Sequence, residues 1–330
     1  MFWPRKKKLS QYEEMLALCG KDQRADLQDV FYCFRLLLGR DPSSEEISGH
    51  INVGVGKDLG TVVKSYIGSL EFANRKLLQV DSSQMPKLAN YNGLEIFVDS
   101  ADPNIGPAIV SGSYEADVMR VFEQHLKDGA TVVDIGANVG LYSLVAARAV
   151  GPRGMVFAIE PNPANAKMIK MSALKNGFEN IVIIAAGASD EYGLLRLNLS
   201  YSNGTTSKDI DGIEQVFSSN VVPSVRLDDV LKTRVDLVKI DVEGAEYLAL
   251  KGMSQTLEKH KPVILSEFSP NAMPGISGVT GEAYLEFLRG HGYSISVIGH
   301  GFDIDKNMSS QQVLEAHKAA NVDHIDIVAF

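Results

Sequence analysis

Cysteine is almost missing from this chain: its 330 residues hold two, Cys19 and Cys33, both near the N-terminus. Two thiols are too few for a disulfide framework or a cysteine-based zinc site, so both read as small buried hydrophobes. Positive charge is also scarce. Lys and Arg number 32 against 41 Asp and Glu, a net charge of -9, without the basic footprint of a dedicated nucleic-acid binder. No uncharged apolar run approaches the roughly 18 residues of a membrane-spanning helix. The opening MFWPRKKKLS has cations with no apolar run behind them, unlike a secretory signal. Phe2 and Trp3 beside Lys6, Lys7 and Lys8 offer at most a weak peripheral contact with an anionic membrane surface. Without a signal peptide the glycosylation triplets at Asn198, Asn203 and Asn307 carry little weight, and the chain reads as cytoplasmic.

Hydrophobic residues make up 45% of the chain, enough for one large domain plus something smaller. Residues 1–80 read as a small helical module. LQDVFYCFRLLLGRDP is helical up to Leu38, with Gly39 at the C-cap and Pro42 beyond. Ser43 and Glu46 fit a capping box for a second helix. Leu59, Val62, Val63, Tyr66, Ile67 and Leu70 share the face of a third. Residues 81–112 read as a linker, with polar DSSQMPKLANYN followed by one or two lead-in strands over 94–110.

From 113 to 330 strand and helix signals alternate. Strands are predicted at Thr131–Ile135, Met155–Ile159, Ile181–Ala186, Val235–Ile240, Val263–Ser266 and Ser294–Ile298, with HIDIVAF as one more. Helices are predicted at Leu141–Val150, Ala164–Asn176, Ala245–His260 and Gly281–Gly290. This interleaving implies a doubly wound, mostly parallel α/β sheet. Leu194–Leu199 and Val221–Leu227 bracket the polar loop SYSNGTTSKDIDG, which has the composition of an acceptor-side lid.

VVDIGANVG then bears on the cofactor. Its glycines, Gly136 and Gly140, suit a strand-to-helix turn, yet Asn138 stands where a dinucleotide loop needs its second glycine. Asp134 would also crowd a pyrophosphate with like charge. A cofactor with a cationic amino group and no phosphate reverses both objections, and S-adenosylmethionine is such a molecule. Glu160, after MVFAI, is placed to accept ribose hydroxyls, and Asp190, after AAGAS, to accept an adenine amino group.

These residues, with SYEADV, VVDIGANVGLYSLVAA, FAIEPNP, VRLDDVL, KIDVEGAE and PVILSEF, resemble the FkbM-type methyltransferase family over roughly Ser113 to Phe268. The resemblance implies a class I methyltransferase (Rossmann-like) fold with a seven-stranded sheet whose last strand is antiparallel. It implies O-methylation of sugars or secondary metabolites. It assigns Asp134, Gly136, Asn138 and Gly140 to the donor loop, Glu160 to the ribose, Ser189 and Asp190 to the adenine edge, and Tyr114 with Glu115 to a closure over the cofactor. FYCFRLLLGRDPSSEEI in turn resembles short helical modules found beside glycosyltransferases, which tilts the acceptor towards a polysaccharide or glycolipid.

Methyl transfer to a hydroxyl requires alignment and a destination for the hydroxyl proton. Lys239 and Asp241 lie two apart on one strand face, with Asp241 the first candidate base or metal ligand. The neighbouring lysine makes Asp241 a better orienter than base. Glu243 follows in the same crevice and Glu267 completes an acidic lip. A divalent metal held by Asp241 and Glu267 is conceivable, though no further ligand spacing demands one. His291 and His300 sit in turn-like segments. Three alternatives stay open: a methyltransferase acting on protein or nucleic acid, a catalytically weak scaffold in a glycan-assembly complex, and a NAD-dependent oxidoreductase.

Overall fold

The computed structural model describes residues 24–75, 86–200, 203–208, 212–218, 220–299, 301, 304 and 306–330. The cationic N-terminal stretch, Cys19 and His300 lie outside them. The chain divides into two compact units, Met1–Ser82 and Ser83–Phe330.

In the first unit, the helix Leu27–Tyr32 runs into a π-helical turn, Cys33–Leu37. Helices Ser44–Gly54, Leu59–Ile67 and Leu70–Arg75 follow. The Ser43–Glu46 capping box forms as the sequence predicts. Val30, Cys33, Phe34, Leu38, Val62, Tyr66 and Phe72 make the core. The third helix stops one turn earlier than its apolar spacing suggests, with Gly68 at its C-cap, so Leu70 begins a new helix and is 82% exposed. Arg40, from the phrase LLGRDP, forks between Glu46 (2.6 and 2.9 Å) and Glu71 (2.6 and 2.8 Å) and ties two helices together.

The second unit opens with an antiparallel hairpin, β1 (Lys87–Tyr91) and β2 (Leu94–Val98). β2 is one of the lead-in strands expected over 94–110, while β1 is a strand where the polar stretch 81–92 read as linker. The backbone N–H groups of Glu95 and Phe97 donate to Asn176 Oδ1 (3.0 Å) and Ser172 Oγ (2.9 Å), fastening β2 to the helix Pro163–Lys175. Of the one or two strands expected over 94–110, β2 is the one that forms, and Ile105–Ser111 is helical. Its start is set by Asp102, whose carboxylate accepts from the N–H groups of Asn104 (2.8 Å) and Ile105 (3.1 Å). A second helix, Ala116–His125, leads into the sheet.

Three parallel strands follow, β3 (Thr131–Ile135), β4 (Met155–Ile159) and β5 (Ile181–Ile184). A smaller sheet interrupts them: β6 (Gly187–Ala188), β7 (Gly193–Ser200), β8 (Asn203–Ser207) and β9 (Asn220–Val225), in the order β6-β9-β7-β8. The main sheet resumes with β10 (Leu237–Ile240), β11 (Val263–Phe268), β12 (Ile295–Ile298) and β13 (Ile325–Ala329).

The seven-stranded order is β12-β13-β11-β10-β3-β4-β5, with β13 antiparallel to both its neighbours. This is the class I methyltransferase arrangement the resemblance implied. Two apolar layers cover its faces, one centred on Val133, Val238 and Ile264, the other on Val132, Leu237 and Leu265. The chain order reverses at β3 and β10, which pair although distant in sequence. Such a switch point opens a crevice at the carboxyl ends of the strands.

The helix predicted over Ala245–His260 is two helices, Glu246–Lys251 and Ser254–His260. At Gly252 the backbone meets the Ser189 carbonyl so closely that a Cβ would lie 1.9 Å from its oxygen. Asp228 then anchors the second helix, accepting from the N–H groups of Gln255 and Thr256 (2.9 Å each). The lid expected over residues 200–212 is in part the strand β8.

Candidate active site at the carboxyl ends of the strands

A cleft of about 320 Å³ opens at the switch point. The donor loop, the turns after β4 and β10, β8 and the residue before β13 all contribute to its wall.

The loop after β3 is shaped by close approach. Gly136 has φ +80, and a Cβ there would sit 1.8 Å from the Asp241 carbonyl oxygen. Gly140 has φ +91 and would meet Ile169 at 2.9 Å. Both positions therefore exclude side chains. Asn138 tolerates its left-handed φ of 51°, as Asn commonly does. Its N–H donates to Glu160 Oε2 at 2.8 Å, while Oε1 accepts from the N–H of Asn162 at 2.8 Å. Glu160 is buried, and that burial pushes its carboxyl up to about 7 despite these hydrogen bonds. It lines the cleft with acceptor capacity left on both oxygens.

Asp134 does not line this cleft. It lies behind the loop, in a small cavity shared with Tyr142 and Lys239, and accepts from Ser143 Oγ at 2.6 Å. Burial raises its carboxyl to about 6, against the pull of Ser143 and Lys239. Ser189 and Asp190 also stay out of the cleft, where Gly187 and Ala188 stand instead. Asp190 is clasped by Lys208 (2.7 Å) and Lys251 (2.9 Å), which outweigh burial and hold it down to about 2. The sequence showed an acidic residue at the right strand end, but not the two lysines that occupy it.

The acceptor side is organised around Lys239. In register, Lys239 pairs with Asp134 across β10 and β3, while Glu267 pairs with Asp326 across β11 and β13. With the two-residue period, these side chains and Asp241 share one sheet face. Lys239 is 2% exposed, with Nζ 3.4 Å from Asp241 Oδ2, 3.7 Å from Glu115 Oε2 and 4.9 Å above the Tyr142 ring. Burial alone would neutralise it. The carboxylates of Asp241, Glu115 and Asp326 reverse that and hold the ammonium charged.

Asp241 and Glu267 share one proton. Burial and the Asp241 charge drive Glu267 upward, so it keeps its proton and donates to Asp241. Burial opposes the Asp241 charge, but Lys239 and this hydrogen bond keep Asp241 ionised. Among the described residues no three His, Cys, Asp or Glu side chains are grouped to hold a metal. Glu243, in a left-handed turn (φ 56°), is exposed at the lip, its carboxyl raised by partial burial and by Asp241. Glu115, also left-handed (φ 44°), accepts from Tyr142 Oη at 2.7 Å and caps this corner beside Tyr114.

Several residues escaped sequence reasoning. His324 lines the cleft and Asp326 acts on Lys239 because β13 runs antiparallel, so the start of this strand and the residue before it arrive at the carboxyl edge. Asn104, Ile105 and Ala108 line the cleft from a helix read as strand. Gly204 and Thr206 line it from β8. Glu246, fully buried, accepts from the N–H groups of Val242 (3.2 Å) and Gly244 (3.0 Å) and fixes the turn carrying Asp241 and Glu243. Its i, i+2 and i, i+4 spacing within DVEGAE was the available signal. His291 lies elsewhere, its Nδ1 2.9 Å from the Phe287 carbonyl.

S-adenosylmethionine fits these residues. Gly136 lines the cleft with bare backbone, Glu160 presents open acceptor positions, and one buried lysine stands against Asp134, Asp241, Glu115 and Asp326, an excess of negative charge suited to a cationic donor. Glu160 would take the ribose hydroxyls and the loop amides after Gly136 the carboxylate. When bound, the donor supplies an electrophilic methyl on a sulfonium, which leaves without an acid.

Residues 134–295 match the methyltransferase FkbM domain. The methyltransferase sdnD of Sordaria araneosa is 27% identical over 194 residues, 47% of this chain and 74% of its own length. The 31-O-demethyl-FK506 methyltransferase FkbM of Streptomyces tacrolimicus is 27% identical over 206 residues, 52% of this chain and 75% of its length. The hexuronic acid methyltransferase AglP of Haloferax volcanii is 28% identical over 154 residues, 46% of this chain and 61% of its length. A crystal structure of methyltransferase FkbM from Methylobacillus flagellatus KT superposes with a TM-score of 0.41 at 14% identity, over 94% of this chain and 61% of that one. At that score the superposition adds nothing to the sheet order already described. Residues 134–295 thus carry a methyltransferase FkbM domain, and sequence, topology and cleft together make the protein an S-adenosylmethionine-dependent methyltransferase.

Proposed function

We propose that the protein is an O-methyltransferase acting on a hydroxyl of a sugar, polysaccharide, glycolipid or secondary metabolite. The observation that carries this reading is Asp241 on the cleft wall, its Oδ2 3.4 Å from the buried Lys239 ammonium and its carboxyl beside Glu267. An acceptor hydroxyl can donate to such a carboxylate and be oriented by it. The segment after β10 reads IDVEGAE, not the Asn/Asp-Pro-Pro-aromatic phrase of base amino-methylases, and neither cysteine lies in the second unit. The names of two relatives, a hexuronic acid methyltransferase and a 31-O-demethyl-FK506 methyltransferase, point to the same acceptor classes.

In this reading Asp241 orients the hydroxyl, Lys239 holds Asp241 charged, and Glu267 fixes it from the other side. Incubation with methyl-tritiated S-adenosylmethionine and a panel of methyl glycosides and hydroxylated macrocycles, with and without magnesium, tests it. The expected product carries a new methoxy group. Label appearing only in nitrogen-methylated products, protein or nucleic acid would overturn the assignment.

A further inference from the structure

Asp241 orients a hydroxyl but is poorly suited to remove its proton, because Lys239 at 3.4 Å and the proton on Glu267 both stabilise its charge. The hydroxyl proton needs another destination. Glu267 already holds a proton, Glu160 is engaged at the donor end by two backbone N–H groups, and Glu115 accepts from Tyr142 while facing Lys239.

His324 is the one imidazole on the cleft wall among the described residues. It stands just before β13, whose first residue, Ile325, pairs with Phe268 at the carboxyl end of β11. Titratable groups face it from every neighbouring element: the carboxyls of Asp241 and Glu243 from the segment after β10, protonated Glu267 on the same wall from β11, and Asp326 from its own strand. Its ring places a nitrogen lone pair on the cleft wall that can accept a proton. The residue is also exposed, so the proton can leave to solvent between turnovers.

We infer that His324 accepts the proton of the acceptor hydroxyl during methyl transfer, with Asp241 as the orienting group beside it. The inference rests on the hydroxyl-acceptor reading above. The acceptor oxygen forms the bond to the methyl carbon, the carbon–sulfur bond breaks with its pair left on sulfur, and the hydroxyl proton passes to an imidazole nitrogen and then to water.

The test uses the full chain, His324→Ala and His324→Gln, with the best acceptor from the methyl glycoside panel. Calorimetric titration with S-adenosylhomocysteine is run on all three. Both variants are expected to keep product affinity within about twofold. They should lose kcat by about 100-fold or more, within the range for one general base. The low-pH limb of the wild-type kcat profile should vanish, and added imidazole should partly restore His324→Ala, which a merely structural role would not produce. Variants with near-normal kcat and an unchanged pH limb overturn the role of His324 while leaving O-methylation intact. A wild type that transfers methyl only to acceptors lacking a hydroxyl overturns both.

Discussion

Glu160 shows how one residue can set both affinity and its pH dependence. Burial raises its carboxyl to about 7 in the free protein. Ribose hydroxyls donate to the ionised form, so binding selects it and lowers its proton affinity. Affinity for S-adenosylhomocysteine should therefore be full above pH 7 and fall as pH drops below it, approaching tenfold per unit. Titrations in buffers of different ionisation enthalpy should register a proton released near pH 6. Glu160→Gln should bind at least about tenfold more weakly and lose that dependence. A wild-type affinity flat from pH 6 to 8 would contradict this. Gly136→Ala is a second test at this scale. Positive φ and a Cβ 1.8 Å from a backbone oxygen should cost at least about 2 kcal/mol and abolish product binding, read by thermal melts and calorimetry.

Among the elements, the central strands were legible because each is a short apolar run closed by a polar or glycine-bearing turn. Thr131–Ile135 and Met155–Ile159 match their predicted limits, and VVDIGANVG announced its tight turn by Gly136 and Gly140. What could not be read locally depended on partners. β8 is the polar NGTTS, with no apolar alternation, and is a strand because β7 supplies its hydrogen bonds. IGPAIVS looked extended, yet Asp102 caps it into a helix. The break at Gly252 reflects an approach to Ser189, which no window around Gly252 contains. β8 also yields a prediction. Since Thr206 lines the cleft, Thr206→Trp should raise the acceptor KM by about tenfold and leave S-adenosylhomocysteine affinity within twofold. The reverse pattern would put β8 over the donor.

For the whole molecule, the same burial that builds the site makes stability depend on pH. Glu160 and Glu246 are raised to about 7, and Asp134 and Asp326 to about 6. Each raised carboxyl adds stability that is complete below its unfolded value, near 4, and is lost as pH climbs through its folded value. The lowered groups, Asp190 and Glu46 at about 2, are ionised in both states over that window and leave it unchanged. The ligand-free protein should thus melt several degrees lower at pH 8 than at pH 5.5, and a rise instead would contradict the burial of these groups. S-adenosylhomocysteine should narrow the gap, because it favours ionised Glu160. The sheet reversal at β3 and β10 was foreseeable from family resemblance. The arrival of His324 and Asp326 was not, since only the antiparallel course of β13 brings a C-terminal segment to a site founded on Asp134 to Glu160.

The measurement that bears most directly on the donor assignment is calorimetric titration of the full chain at pH 8 with S-adenosylhomocysteine and, separately, NADH, repeated on Glu160→Ala. Micromolar binding of S-adenosylhomocysteine that is lost in the variant, with no heat from NADH, is the predicted result. Binding of NADH, or S-adenosylhomocysteine affinity untouched by removing the Glu160 carboxylate, would contradict the account of the cleft.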